Sequence, residues 1–208
     1  MCAQIEPVKW ETLVRWMRVT APLTPFPTNE VWPGRLAPVL IDADEPTLVY
    51  GCFGLMPHWA KPTLYRQTYN ARTETVATKP TYRAAWKNRQ FCAVPVTAFF
   101  EPNYETGRAV KHRIERIDGE AFWLAGLWEC FRDNFDQDIW SFTLLTINAE
   151  LHPLMSRYHG PDDEKRSVVV LPPEVVEPWI SAGSDGSARG FLKHFPASDF
   201  VAAPARVA

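Results

Sequence analysis

The chain has 208 residues, 46% hydrophobic and 13% aromatic, enough apolar material for one domain with a substantial core. Charged residues make up 22%, which excludes a wholly disordered chain, and a net charge of −2 excludes a general nucleic-acid coat protein but not a local basic groove. The longest apolar runs, 91–100 and 168–171, fall well short of a membrane span, and no basic run followed by an apolar run marks a leader. The expectation is a cytoplasmic protein without a membrane or an obligate protein partner.

Residues 8–19 carry Leu13, Val14 and Met17 at helical spacing and predict a short amphipathic helix. A proline-rich loop follows over 22–38, with a turn signal at Trp32-Pro33-Gly34. Strands are predicted at 37–41 and 47–53. The stretch 57–86 is polar and aromatic, with helical turns near 74–78 and 82–87. Strands then dominate, at 91–98, 110–116, 121–128 and 141–147, with Gly107 and Asp118-Gly119 as hairpin turns between them. Residues 167–171 form another strand and 173–180 a helix opened by proline. The tail from 181 is weakly patterned. Many strands in hairpin order with a few short helices predict one α+β domain over 1–208. Its core, about 2–180, is expected to be curved antiparallel β-sheets in an open barrel-like arrangement, with a C-terminal tail from about 181 to 208.

Four cysteines stand at 2, 52, 92 and 130, with no C-x-x-C pair, so neither a structural zinc nor a disulfide framework is signalled. Cys52, Cys92 and Cys130 fall in apolar strand-like runs, where a thiol behaves as a small hydrophobe. Cys2 has no such context. Removal of Met1 leaves an α-amine of pKa about 8 and a thiol of pKa about 8.5 on one residue. The amine can form a Schiff base with an aldehyde, and the thiol can then close a five-membered thiazolidine. By position alone Cys2 reads more readily as an incidental residue after the start, so a catalytic role needs support elsewhere in the chain.

Tyr69-Asn70-Ala71-Arg72-Thr73-Glu74-Thr75 is a polar cluster in a largely apolar chain. Arg72 suits a bidentate clamp on phosphate or carboxylate and Asn70 a hydrogen bond to a substrate oxygen; the same residues also suit a helix cap with a surface ion pair. Glu101 ends the apolar run 94–100, where partial desolvation suits it to proton transfer, unless it is a solvated strand end. His159 lies in a loop between Arg157 and Arg166 and is expected to stay neutral unless a carboxylate partners it. His152, His159, Asp162 and Asp163 match no standard metal-ligand spacing, so no metal or other cofactor is expected.

These features occur in the order Cys2, Asn70-Ala71-Arg72-x-Glu74-Thr75, Phe99-Phe100-Glu101 and His159. That order resembles the SRAP family, the SOS response-associated peptidases or abasic-site-processing proteins. Gly54-Leu55-Met56-Pro57-His58-Trp59, Leu124-Ala125-Gly126-Leu127-Trp128 and Phe142-Thr143-Leu144-Leu145-Thr146 add to the resemblance, which covers about 2–180. It implies an SRAP-like fold and a DNA-damage (SOS) protein that binds single-stranded DNA at abasic sites. Cys2 would be the catalytic nucleophile of a thiazolidine DNA–protein crosslink. Asn70 would orient it and the sugar, Glu101 would move protons at the amine and assist reversal, and His159 would assist ring opening and lyase-type β-elimination. Arg72 would hold a flanking phosphate and Trp59 would stack on DNA. The peptidase name corresponds to removal of Met1.

Three departures from the family pattern stand out. Ala3 and Gln4 replace the usual Gly-Arg after cysteine. Pro102 follows Glu101 where tryptophan is usual, which leaves Tyr104 as the substitute stacking ring. His159 leads into a longer acidic loop, Gly160-Pro161-Asp162-Asp163-Glu164-Lys165, with Arg166 carried as a further candidate DNA contact. Two other readings remain: a cysteine peptidase built on Cys2, Glu101 and His159, and a non-catalytic reader of modified or single-stranded DNA.

Overall fold

The computed structural model describes residues 2–9, 11–13, 30–59, 62–132 and 137–205. The expected helix over 8–19 and loop over 22–38 lie largely outside these residues; 11–13 are helical. Eleven strands are described: β1 (Gln4–Pro7), β2 (Leu36–Asp42), β3 (Pro46–Phe53), β4 (Asn70–Arg72), β5 (Phe91–Asn103), β6 (Val110–Arg116), β7 (Phe122–Arg132), β8 (Asp138–Asn148), β9 (Arg166–Val168), β10 (Val170–Leu171) and β11 (Phe200–Pro204).

Five of them close a barrel in the order β2, β3, β8, β7, β5, the last pairing back to β2. The β3–β8 pair is parallel, and the other four pairs of the ring are antiparallel. The barrel strands read as nearly continuous apolar runs because both faces are buried. On β5, Cys92, Val94 and Val96 face the same cluster as Val39, Phe53, Leu124, Phe142 and Leu144, which is the barrel interior. The intervening Phe91 and Ala93 join Leu40, Trp123, Leu127 and Trp179 outside it. There the helix Val176–Ile180 packs, with Trp179 Nε1 donating to the Cys92 carbonyl at 2.8 Å.

β5 outlasts the barrel. Its first half pairs with β7 and β2, and its second half pairs with β1 and β6. The changeover is marked by an irregular register: Glu6 faces Ala98 and Pro7 faces Val96, so Thr97 is the extra residue of a bulge. Gly107, at φ 79°, turns the β5–β6 hairpin as expected. Gly119, at φ 74°, makes a turn but not a hairpin, because β7 pairs with β5, β8 and β10 rather than with β6. Residues beyond 180 carry structure that their weak patterning does not announce. The helix Asp185–Gly190 is opened by a Ser184/Ser187 capping box, and β11 adds to β6.

Gly126 on β7 lies where β5 and β8 crowd it: a Cβ there would stand 2.5 Å from the Thr143 carbonyl oxygen and 2.8 Å from Cys92 Sγ. Gly126→Ala is therefore expected to destabilise the fold by about 2 kcal/mol, a fall of roughly 4–8 °C in Tm. Gly183→Ala, with open space around it, should leave the thermal midpoint within about 1 °C.

Candidate active site

β1 brings the N-terminal segment against the far half of β5, with Gln4 opposite Phe100. Continuing that antiparallel register sets Cys2 beside Glu101 and Pro102. Cys2 is fully buried, and its Sγ donates to the Gln4 carbonyl at 3.4 Å. Burial first, and then the negative charge of Glu101, push the thiol up to about 12.

Asn70 reaches the same place from another direction. β4 runs parallel to β8, pairing Asn70 with Leu144, and Asn70 Nδ2 donates to the Cys2 carbonyl at 2.6 Å. Its Oδ1 is buried and accepts no hydrogen bond among the described residues. The Asn70 carbonyl accepts from the Tyr82 hydroxyl at 2.9 Å, and burial pushes that phenol up to about 12.

Glu101 lies on β5 past the bulge, 2% exposed, with His159 Nε2 at 3.1 Å from its Oε2. The contact has the distance of an ion pair without hydrogen-bond alignment. His159 is held at φ 70°, a left-handed conformation that non-glycine residues adopt rarely. Its amide donates to the Pro102 carbonyl at 3.0 Å, and its Nδ1 accepts from the Arg166 amide at 3.4 Å. A backbone amide can only donate, so Nδ1 is the bare nitrogen and the neutral ring carries its proton on Nε2, facing Glu101. The carboxylate partner left open for this histidine is thus Glu101. Cys2, Asn70, Glu101 and His159 converge from β1, β4, β5 and the loop before β9.

The other sequence candidates are arranged differently. Arg72 is two residues beyond Asn70 on β4, half-exposed, with Nη1 at 2.7 Å from Glu164 Oε2. Trp59 is 55% exposed on the loop after β3, and Tyr104 is half-buried at the start of the β5–β6 turn. Arg166 is buried beneath the surface. Its guanidinium donates to both oxygens of Glu74 (2.9 and 2.8 Å), to Glu164 Oε1 (2.7 Å) and to the Thr146 carbonyl (2.5 Å). Burial would raise Glu74, but Arg166 overrides it and holds this carboxyl below its ordinary range. The structure thus places Arg166 as a strut behind the site.

Two residues join the site without having been singled out. Tyr69 is half-buried, edge-on to Phe53 with ring centres 5.9 Å apart. Burial first, then the charges of Cys2 and Glu101, push its phenol upward. Its position directly before Asn70 was the available signal. Gln4, read only as a replaced arginine, is buried and donates to Glu30 through Nε2. Among the described residues no group of three or more His, Cys, Asp or Glu is placed to hold a metal, and no helix is long and apolar enough to cross a membrane.

The sequence profile of the family described as SOS response associated peptidase (SRAP) matches residues 1–207. The chain is 27% identical over 131 residues to the abasic site processing protein YoqW of Bacillus subtilis (strain 168), covering 62% of this chain and 55% of that one. Abasic site processing protein YobE of the same organism is 28% identical over 131 residues, or 62% and 56% of the two chains. The match thus spans about half the length of these curated relatives. A crystal structure of a protein from Bordetella bronchiseptica superposes with a TM-score of 0.89 at 32% identity, covering 99% of this chain and 100% of that one. A Bacteroides thetaiotaomicron protein shares the fold at TM-score 0.82 and 21% identity, over 99% and 92% of the two chains.

The burial of Cys2 has a measurable consequence in the chain that begins at Met1. Alkylation of Cys2 by iodoacetamide at pH 8, read by peptide mass mapping, should be about a thousandfold slower than in the denatured chain, whose thiol titrates near 8.5. It should rise about tenfold per pH unit towards the value near 12. The stability associated with the protonated thiol is full below about 8.5 and is lost progressively as pH rises towards 12. Equal labelling of folded and denatured chains would contradict the placement.

Proposed function

Because the chain belongs to the SOS response associated peptidase (SRAP) family, we propose that it processes abasic sites in single-stranded DNA, forming a thiazolidine crosslink through Cys2 once Met1 is removed. The observation that carries this reading is the convergence of Asn70, Glu101 and His159 on Cys2, with the Glu101–His159 pair buried beside it.

In the proposed reaction, the ring-opened sugar presents its C1′ aldehyde to the free α-amine of Cys2. A carbinolamine forms and loses water to give an imine. Sγ then adds to the imine carbon, the thiol proton passes to the imine nitrogen, and a thiazolidine results; the net change is loss of one water. Asn70 holds the Cys2 carbonyl and so fixes the direction of the amine and thiol. Glu101 would take the ammonium proton and protonate the departing hydroxyl. His159, with its Nε2 proton facing Glu101, is the group to open the sugar ring and to serve a lyase-type elimination. Arg72 would hold a flanking phosphate, with Trp59 and Tyr104 as stacking surfaces.

A cysteine-peptidase reading needs a thiolate paired with imidazole. Here His159 Nδ1 accepts from the Arg166 amide and Nε2 faces Glu101, and in the chain that carries Met1 the thiol is pushed up rather than down. This favours the crosslinking reading.

Purified protein mixed with single-stranded DNA bearing one abasic site is expected to give a covalent band that survives denaturing electrophoresis, with an intact mass lacking Met1. Cys2→Ser should abolish the band while non-covalent binding persists, with a salt dependence equivalent to about 3–5 released ions. Glu101→Gln should slow band formation about a hundredfold. A band formed by protein that still carries Met1 would overturn the amine-first chemistry, and a salt slope near zero would overturn nucleic-acid binding.

A further inference from the structure

We propose that Glu164 is a specificity-determining residue: its carboxylate occupies Arg72 in place of a nucleic-acid phosphate, so that a strand must displace it to bind. The inference rests on the DNA-binding reading of Arg72. Arg72 shares its side of β4 with Asn70, two residues away, and so stands at the rim of the site whose floor Asn70 helps to form. Its guanidinium meets Glu164 Oε2 at 2.7 Å, with the two side chains 51% and 32% exposed.

Glu164 is held in place independently of Arg72. Its Oε1 accepts from Arg166 Nη1 at 2.7 Å and from Asn148 Nδ2 at 3.3 Å. The loop that carries it is tied to itself, with Asp163 Oδ2 accepting the Gly160 amide at 3.1 Å and Lys165 Nζ donating to the Gly160 carbonyl at 2.5 Å. One oxygen is therefore anchored and the other is offered to Arg72, the geometry of a fixed anionic stand-in. A phosphate arriving at Arg72 exchanges one anion for another, so part of its electrostatic attraction is cancelled.

This cancellation applies to every phosphate ligand alike, damaged or not. Capture by a covalent bond at Cys2 is not reduced by it once formed. Weakening the reversible contact therefore raises the ratio of retained abasic strands to retained intact strands. Neutralising Glu164 leaves Arg166 with both oxygens of Glu74 and the Thr146 carbonyl, so the strut behind the site keeps its main partners.

The test uses an undamaged single-stranded oligonucleotide and the full chain. Glu164→Gln is expected to tighten Kd about three- to fivefold at low salt and to steepen the salt dependence by about 0.7, the contribution of one single-strand phosphate contact. Asp162→Asn removes the same charge from an exposed position on the same loop and should change Kd less than twofold. Adding Arg72→Ala to Glu164→Gln should cancel the gain, and an unchanged thermal midpoint would exclude a folding effect. Equal tightening by the Glu164 and Asp162 variants, or persistence of the gain without Arg72, overturns the proposal. Wild type that binds with the same Kd as Glu164→Gln overturns this proposal alone; wild type that binds no strand overturns the DNA reading beneath it as well.

Discussion

The site depends on one strand that changes its neighbours midway along its length. β5 closes the barrel with its first half and receives β1 and β6 on its second, so the residues just past its bulge are fixed by pairing on both sides. Glu101 follows them directly and pairs with His112 of β6. A carboxylate on a loop would move into water; on a strand clamped by two neighbours it stays where the backbone places it, 2% exposed. The same strand delivers Cys2, because β1 pairs along β5 and Cys2 stands two residues before it. Pro102 follows Glu101 and its carbonyl receives the His159 amide, so the third member is fixed to the same strand.

Arg166 ties the chemical side of the site to the proposed phosphate side. Its backbone amide fixes the tautomer of His159, while its guanidinium gathers Glu74 and Glu164. Both terminal nitrogens of this buried guanidinium are paired with carboxylates and a carbonyl, which is the condition under which burying a charge is tolerated. The consequence is mechanical. The position of Glu164, which meets Arg72, and the ring plane of His159, which meets Glu101, are both referred to one residue. Under the proposed function, loosening Arg166 would disturb proton transfer and phosphate contact together.

Much of this was legible before any coordinates. Apolar runs located the barrel strands, since two-faced burial leaves a continuous signal, but β5 and β7 run four or five residues beyond their expected ends and β8 starts three residues early. The polar cluster at Asn70 and the carboxylate at the end of a buried run were conspicuous for the same reason. Three things were not. The turn at Asp118-Gly119 looks like a hairpin locally, but β5 takes the place beside β7, and no local pattern encodes which strand wins. Residues after 180 pair through β11 and a serine-capped helix too short to show a period. Arg166 reads as a surface cation beside an acidic loop; only the placement of Glu74, 92 positions earlier, turns it inward.

Under the proposed chemistry, the burial of Cys2 favours one order of reaction for its two groups. In the chain that carries Met1 the thiol, pushed up to about 12, is almost wholly protonated near neutral pH and is a poor nucleophile. An α-amine is nucleophilic as soon as it loses one proton, and its ordinary value near 8 leaves an appreciable fraction of it neutral. Under the proposed chemistry the imine then places an electrophilic carbon within reach of the sulfur, and the thiol has to ionise only as its bond forms. The charge of Glu101 helps to hold the thiol protonated beforehand, and under the proposed chemistry the same carboxylate would relay that proton to the imine nitrogen as the sulfur attacks. High thiol pKa and a neighbouring base are therefore not in conflict. Under the proposed chemistry they would keep the cysteine unreactive toward other electrophiles until an aldehyde has engaged its amine.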